Sequence, residues 1–357
     1  MNIIKILILF FAYFCTTVYS QVVHNIKAQI VIKPERDDIY HWKELLSHTN
    51  ELANLGLTFV DSEPDVLLCN WVTKELLQTN IPIIILEINA AASLKNKTRK
   101  YLKYPQVKAV FKNRLLRDKN TYNAPHVQQT YFFSLVNDYA HLSDPRNYTP
   151  LSNALLDKIK LVIWDFNWSP FNKSKFSSLV FDHNINKEKP LDLFFAGRLL
   201  CNGKSMLQQF YNWHRTKAFE ALHALSGVTC EIIEGRALPF AEYVEKTAQS
   251  KIIVSPWGWG EWCYRDFEAI LNNAVLIKPD TSFVLSYPDI YQNYKTYVPC
   301  KPDFSDLEEK VHSILSNMNY YKTLTEKAKK NVIKSWQQYD QLLPRFVDAI
   351  ANALKDE

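Results

Sequence analysis

The sequence predicts an α/β protein of two parallel sheets facing a cleft, and three observations carry that prediction. Apolar runs of strand length alternate with helical patterns in both halves of the chain, the arrangement that builds parallel sheets covered by helices. A polar stretch around 167–189 separates the two alternations. With 357 residues and 47% hydrophobic content, the chain can bury large cores and exceeds what one compact unit usually holds, so two domains are expected.

In the first half the candidate strands are Ala28 to Ile32, Asp65 to Cys69, Ile81 to Leu86, Val107 to Phe111 and Leu161 to Trp164. Helical patterns fall near Trp42 to Leu55, Thr73 to Gln78 and Ala92 to Leu102. The second alternation runs through Leu193 to Phe195, Cys230 to Ile233, Ile252 to Val254 and Val275 to Ile277, with a helix over Met206 to Leu225. It closes with helices over Asp306 to Leu315 and Tyr320 to Ile350, the latter broken or kinked near Pro344. These readings divide the chain into residues 1–20, a first domain over 21–175, a second over 190–340 and a terminal helix over 341–357.

The densest signal is Ser255 to Asp280, SPWGWGEWCYRDFEAILNNAVLIKPD, a loop carrying Gly258 and Gly260, a helix from about Trp262 to Asn272, and a strand. Six of the seven glycines lie between Gly197 and Gly260, marking where the backbone must bend or let a ligand approach. Such a loop and helix start offer backbone N–H groups to a phosphate. At about 100° per residue, Phe267, Ile270, Leu271 and Ala274 share one face, and Glu261, Arg265, Glu268 and Asn272 the opposite one. The polar stripe can hold a ligand or be a solvated salt-bridged face. Trp257, Trp259 and Trp262 favour the first reading, since large aromatics in a turn suit stacking on a sugar or base.

GWGEWCYRDFEAILNNAVLIKP is similar to the donor-binding region of GT-B glycosyltransferases, particularly exostosin-like and group-one-like members with an Arg-x-x-Glu-Ala-Ile pattern. Further matches are DLFFAGRLLCNGK (Asp192 to Lys204), HRTKAFEAL (His214 to Leu222) and TYVPCKPDFSDLEEKV (Thr296 to Val311). The resemblance implies two Rossmann-like domains, with the nucleotide-sugar donor on the second and the acceptor on the first. It implies transfer of a sugar to a hydroxyl of a glycan or glycoprotein, with Gly197, Arg198, Lys204, Arg215, Gly258, Trp259, Gly260, Glu261, Arg265 and Glu268 around the donor. Two departures stand out. Glu261 and Glu268 are seven positions apart where retaining members have eight, and Asn273 replaces a frequent glycine, although asparagine tolerates the left-handed cap.

Breaking the anomeric bond builds negative charge on the departing diphosphate, which Arg198, Lys204, Arg265 and the amides from Gly258 to Glu261 can meet. No Asp-x-Asp triplet is present, so departure without a metal or other cofactor is expected, the nucleotide-sugar acting as co-substrate. Lys278 and Asp280 are further candidates at the cleft rim, with a turn role equally open for Asp280. For His214 a structural role is the simpler reading. Glu87, ending an apolar run, is the best-placed carboxylate for a catalytic base, ahead of Asp61 and His126; Arg265 and Glu268 complete the catalytic candidates.

A net charge of +5 without a dense basic run argues against nucleic acid. Lys5, the apolar Ile6 to Val18 and Val18-Tyr19-Ser20 read as a secretory signal cut before Gln21, leaving no membrane span; an uncleaved anchor is the alternative. The lumen of the endoplasmic reticulum or Golgi, or secretion, is the expected location. Sequons at Asn96, Asn147, Asn167 and Asn172 fit it, and the five cysteines beyond the signal show no zinc spacing. The competing function is a secreted carbohydrate-binding protein or an inactive relative of the enzymes. A dinucleotide oxidoreductase is disfavoured because Gly258-Trp-Gly260 lacks the third glycine.

Overall fold

The computed structural model describes residues 24–32, 45–89, 91–123, 131, 135–136, 148–162, 189–198, 205–235, 238–258, 260–337 and 341–355. The segment read as a secretory signal, His126 and asparagines 147, 167 and 172 lie outside them. Among the described residues no helix is long and apolar enough to cross a membrane.

The first domain contains β1 (Ile26–Val31), α1 (Thr49–Asn54), β2 (Leu57–Phe59), β3 (Val66–Cys69), β4 (Ile83–Glu87), α2 (Asn96–Tyr101), β5 (Val107–Lys112), β6 (Arg114–Leu116), α3 (Asn153–Leu156) and β7 (Ile159–Leu161). The second contains β8 (Leu191–Gly197), α4 (Met206–His223), β9 (Cys230–Glu234), α5 (Phe240–Ala248), β10 (Ser250–Val254), α6 (Tyr264–Leu271), β11 (Val275–Pro279), β12 (Val284–Ser286), β13 (Val298–Cys300), α7 (Leu307–Ser316) and α8 (Met318–Gln337). The chain ends in α9 (Leu342–Lys355).

The two large sheets are parallel throughout, in the orders β2-β1-β3-β4-β5-β7 and β9-β8-β10-β11-β13. Counted from its own first strand, each reads 2-1-3-4-5, the first sheet adding β7. The two Rossmann-like domains expected from the alternation are therefore present. In such an order the chain reverses direction between strands 1 and 3, and the crevice outside their carboxyl ends is where open parallel sheets bind ligands. In the second domain that place lies beyond Gly197 and Val254; in the first, beyond Val31 and Cys69.

Strands β3 and β4 are buried at every residue, as their unbroken Val, Leu and Ile runs require. The short β2 and β13 add edges that periodicity does not reveal. The expected break near Pro344 falls before Leu342, and Pro344 sits in the first turn of α9, where a missing N–H costs nothing. Helix α9 returns to the first domain: Leu343, Phe346, Val347 and Ile350 pack with Ile84, Leu86 and Phe111. The domains also share the antiparallel ribbon β6–β12, braced by Arg117, whose guanidinium donates to both carboxylate oxygens of Asp289 at 2.7 and 3.1 Å.

Candidate functional site

Helix α6 is fixed at both ends, and its anchors decide which polar groups remain for a ligand. At its start the buried Asp266 accepts from Cys263 N, Ser255 Oγ, Tyr291 Oη and Lys278 Nζ. At its end Asn273 adopts φ 53°, and the bonds Asn273 N to Ile270 O and Ala274 N to Ala269 O complete a Schellman cap. The asparagine thus does the work of the expected glycine.

Lys278 is consequently not a cleft-rim residue. It is fully buried and paired with Asp266 at 3.2 Å. Asp266 itself escaped the sequence reading because it lies between the two helix faces that periodicity separates. Asp280 is exposed and forms a turn with Ser282 N.

The predicted polar stripe splits in two. Arg265 and Glu268 lie on α6, whereas Glu261 precedes the helix and points to the other domain, where its Oε2 accepts from Ala92 N at 3.0 Å. Glu261 is fully buried, and burial raises its pKa against the lowering effects of Ala92 N, Arg114 and Lys112. The aromatic loop also differs from expectation. Trp257 is wholly buried, its Nε1 donating to Thr281 Oγ1, and Trp262 lies in the core with the Arg114 guanidinium 4.4 Å from its ring centroid. Their apolar area goes into packing, so neither is a stacking platform for a ligand. Trp259 lies outside the described residues.

Around the end of β8 the predicted donor residues do meet. Arg265 donates through Nη2 to Ala196 O and lies 4.7 Å over the Phe195 ring. Its Nε and Nη1 are buried without a hydrogen-bond partner among the described residues. Burial would lower the pKa of this guanidinium, but Tyr243, Cys263 and Glu268 raise it, so it stays charged. Arg215 donates to Arg198 O at 3.2 Å and covers the Tyr211 ring. A Cβ on Gly197 would stand 3.1 Å from Arg215 Nη1 and from the Phe195 ring, a tight contact that glycine relieves. The Arg198 side chain is exposed, and Lys204 lies outside the described residues.

Glu268 accepts from Tyr243 Oη at 2.7 Å, on a helix, α5, that the sequence reading did not find. Burial raises its pKa, and Tyr243 and Arg265 counter this only in part. Gly258 and Gly260 close a turn through Gly258 N and Gly260 O at 3.1 Å, and space around Gly258 is open, so no contact there demands glycine. The buried His214 holds the start of this loop, its Nε2 accepting from Trp257 N at 3.0 Å. Burial, then Arg215 and Lys278, push its pKa down to about 3, so the ring is neutral and structural.

Glu87 does not fit the role of a base. Its Oε1 accepts from Lys112 Nζ and Lys95 N, both at 3.2 Å, and from Asn89 Nδ2 at 3.2 Å; its Oε2 accepts from Thr98 Oγ1. Three of these four bonds fall on Oε1, which they saturate, and one on Oε2. Burial would raise its pKa, but Lys112 and Lys95, with Thr98, bring it below the usual value. Glu87 is therefore a buried anchor for the loop after β4. Asp61 is exposed, its carbonyl accepting from Gln29.

No family model matches the sequence, and no curated protein matches it. Among solved structures it is similar to a glycosyltransferase from Rickettsia africae, at 12% identity over 94% of this chain and 100% of that one, with a TM-score of 0.49. It is similar to Anabaena HepE in complex with UDP, at 10% identity over 92% and 100% of the two chains and a TM-score of 0.47. The β-glucosyltransferase of T4 phage in complex with its UDP-glucose substrate shows 12% identity over 91% and 99%, with a TM-score of 0.40.

Proposed function

We infer that this chain is a glycosyltransferase that moves a sugar from a nucleotide-sugar to a hydroxyl of a glycan or glycoprotein acceptor. The observation that carries the reading is a charged guanidinium, Arg265, with two buried donors that have no partner among the described residues, at the carboxyl end of the strand where the second sheet reverses direction. An unpaired buried donor is costly unless a ligand completes it. A diphosphate supplies oxygens in the geometry a guanidinium fork accepts. Arg215, beside Gly197 at the same strand end, adds a second cation.

In this reading the oxygen leaving the anomeric carbon carries its new charge toward Arg265 and Arg215, which are fixed in advance by Ala196 O and Arg198 O. Glu268, held by Tyr243, offers its carboxyl to hydroxyls of the nucleotide or sugar. The protein's place is the lumen of the secretory pathway, supported by the apolar segment Ile6 to Val18 behind Lys5.

The engagement of Glu87 with Lys112 and three further internal donors favours a second reading, a carbohydrate-binding protein of the same architecture without turnover. Incubation with a panel of nucleotide-sugars separates the two. Release of nucleoside diphosphate, abolished in Arg265→Ala, supports the transferase; binding without release at any acceptor supports the second reading. If calorimetry detects no uptake of any nucleoside diphosphate, both donor-site arguments fail.

A further inference from the structure

A cavity of about 240 Å³ opens in the first domain between the loop after β3 and helix α2. Asn70, Trp71, Glu87, Lys95, Asn96 and Lys97 supply its polar and aromatic lining. The volume is below the roughly 300–1,000 Å³ of sites for drug-sized ligands, so one ring-sized unit fits.

The hydrogen-bonding state of that lining is lopsided. Glu87 accepts four hydrogen bonds from within, three at Oε1 and one at Oε2. Asn96 Oδ1 accepts from Thr149 N at the cavity edge. Lys97 holds its ammonium 4.5 Å from the centroid of the Trp71 ring. Lys112, buried behind the wall, already answers the charge of Glu87. Lys97, and Lys95, whose charge also acts on Glu87, therefore join Lys112 as three positive charges against the one carboxylate that lines the cavity. A ligand here must bring acceptors and negative charge, and it meets an indole ring as a wall.

We propose that this cavity binds an acidic saccharide unit, with its ring against Trp71 and its carboxylate or sulfate on Lys95 and Lys97. The proposal rests on the sugar-transfer reading only in naming that unit as part of the acceptor; the cavity's preference for an anionic sugar stands without it. Charge-assisted bonds to two ammonium groups set the selectivity, and the aromatic wall sets the requirement for a ring.

The test uses the full chain and four probes: methyl glucuronide, methyl glucoside 6-sulfate, neutral methyl glucoside and inorganic sulfate. Binding is followed by tryptophan fluorescence and by ligand-observed NMR. One or both acidic glycosides bind about ten-fold or more tightly than methyl glucoside, and the pair shows whether carboxylate or sulfate is preferred. Their affinity falls with added salt, as contacts with exposed lysines require. Lys97→Gln and Lys95→Gln each weaken the acidic probes and leave the neutral one unchanged, whereas Trp71→Ala weakens all three glycosides. Equal binding of acidic and neutral glycosides, binding of sulfate as tight as the glycosides, or no binding at tens of millimolar overturns the proposal. A parallel titration with uridine diphosphate separates the two claims. Glycoside binding without any nucleotide binding sinks the transferase and leaves the cavity, and the reverse sinks the cavity alone.

Discussion

Glu87 beside Lys112 and Glu268 beside Arg265 occupy comparable places, near the carboxyl ends of two sheets with one strand order, yet their chemistry is opposite. In the first domain the carboxylate accepts four bonds and its lysine donates to Glu87, Asn89, Ala91 and Ser93, so the charges are matched and the ammonium is fully used. In the second, two buried donors of Arg265 have no partner among the described residues, and Glu268 accepts from one hydroxyl there. A closed cluster fixes a loop; an open one is ready for a ligand. Charge and position alone mark both as catalytic, and only the completeness of the bonding separates them.

The largest expected effect tests the open cluster. Arg265→Ala should weaken nucleoside diphosphate binding by about 100-fold or more, because it removes charge-assisted bonds in a desolvated place. Arg265→Lys should restore little, since an ammonium cannot present the guanidinium's fork. Glu87→Gln should leave nucleotide affinity unchanged. Calorimetry on the three variants checks this, and equal losses in Arg265 and Glu87 variants would erase the distinction.

The closed cluster makes the converse prediction. Lys112 is fully buried, so Glu87→Ala strands its charge and should cost about 3–5 kcal/mol in urea unfolding. Replacing both partners, Glu87→Leu with Lys112→Met, should recover most of that loss, as buried pairs exchanged for apolar groups often do. A double variant no better than the single one would mean that the pair specifies the loop in a way apolar groups cannot.

The junction between the domains gives a smaller effect. Glu261→Ala leaves the Ala92 amide without its acceptor, at about 1–3 kcal/mol. Glu261→Gln keeps a carbonyl oxygen and should cost less. Because Arg114 binds Asn89 O and lies over Trp262 nearby, separation of the domains is the event to follow, by hydrogen exchange at residues 91–95 and 260–264.

What the sequence reveals follows from how local each cause is. Buried parallel strands are legible because their apolar runs are continuous, and the α6 cap is legible because Asn273 and its helix are neighbours. The meeting of Arg265 with Phe195 and Ala196, 69 residues apart for the hydrogen bond, depends on strand order, which the alternation implies without fixing. Asp266 was missed because an acidic residue next to Arg265 reads as surface, although Ser255, Lys278 and Tyr291, from three other segments, all donate to it. The ribbon β6–β12 joins segments about 170 residues apart and is too short for any periodicity. Trp257 and Trp262 misled because an aromatic in a glycine loop looks available until its packing partners, His214 at 5.2 Å and Arg114, are known.

The smallest effect, a pH dependence of stability, distinguishes the clusters by sign. Glu87 is buried and Glu268 half-buried, and loss of water by itself raises a carboxyl pKa. At Glu87 the lysines and hydrogen bonds overcome burial, so the folded pKa lies below the ordinary 4.5. The folded state then binds its proton less readily than the unfolded chain, and the stability from Glu87, present above 4.5, is lost as pH falls toward the folded value. At Glu268 burial prevails and the folded pKa lies above 4.5. Its contribution is full below that value and declines as pH rises through the folded pKa. Urea midpoints of the wild type, Glu87→Gln and Glu268→Gln between about pH 3 and pH 8 isolate each contribution by difference. The Glu87 difference should shrink on the acid side and the Glu268 difference on the alkaline side. A diphosphate bound at Arg265 adds negative charge near Glu268 and favours its protonated form, so nucleotide binding near the folded pKa should take up protons, seen as a buffer-dependent heat. Glu268→Gln should remove that uptake and Glu87→Gln should not; uptake that survives Glu268→Gln would place the titrating group elsewhere.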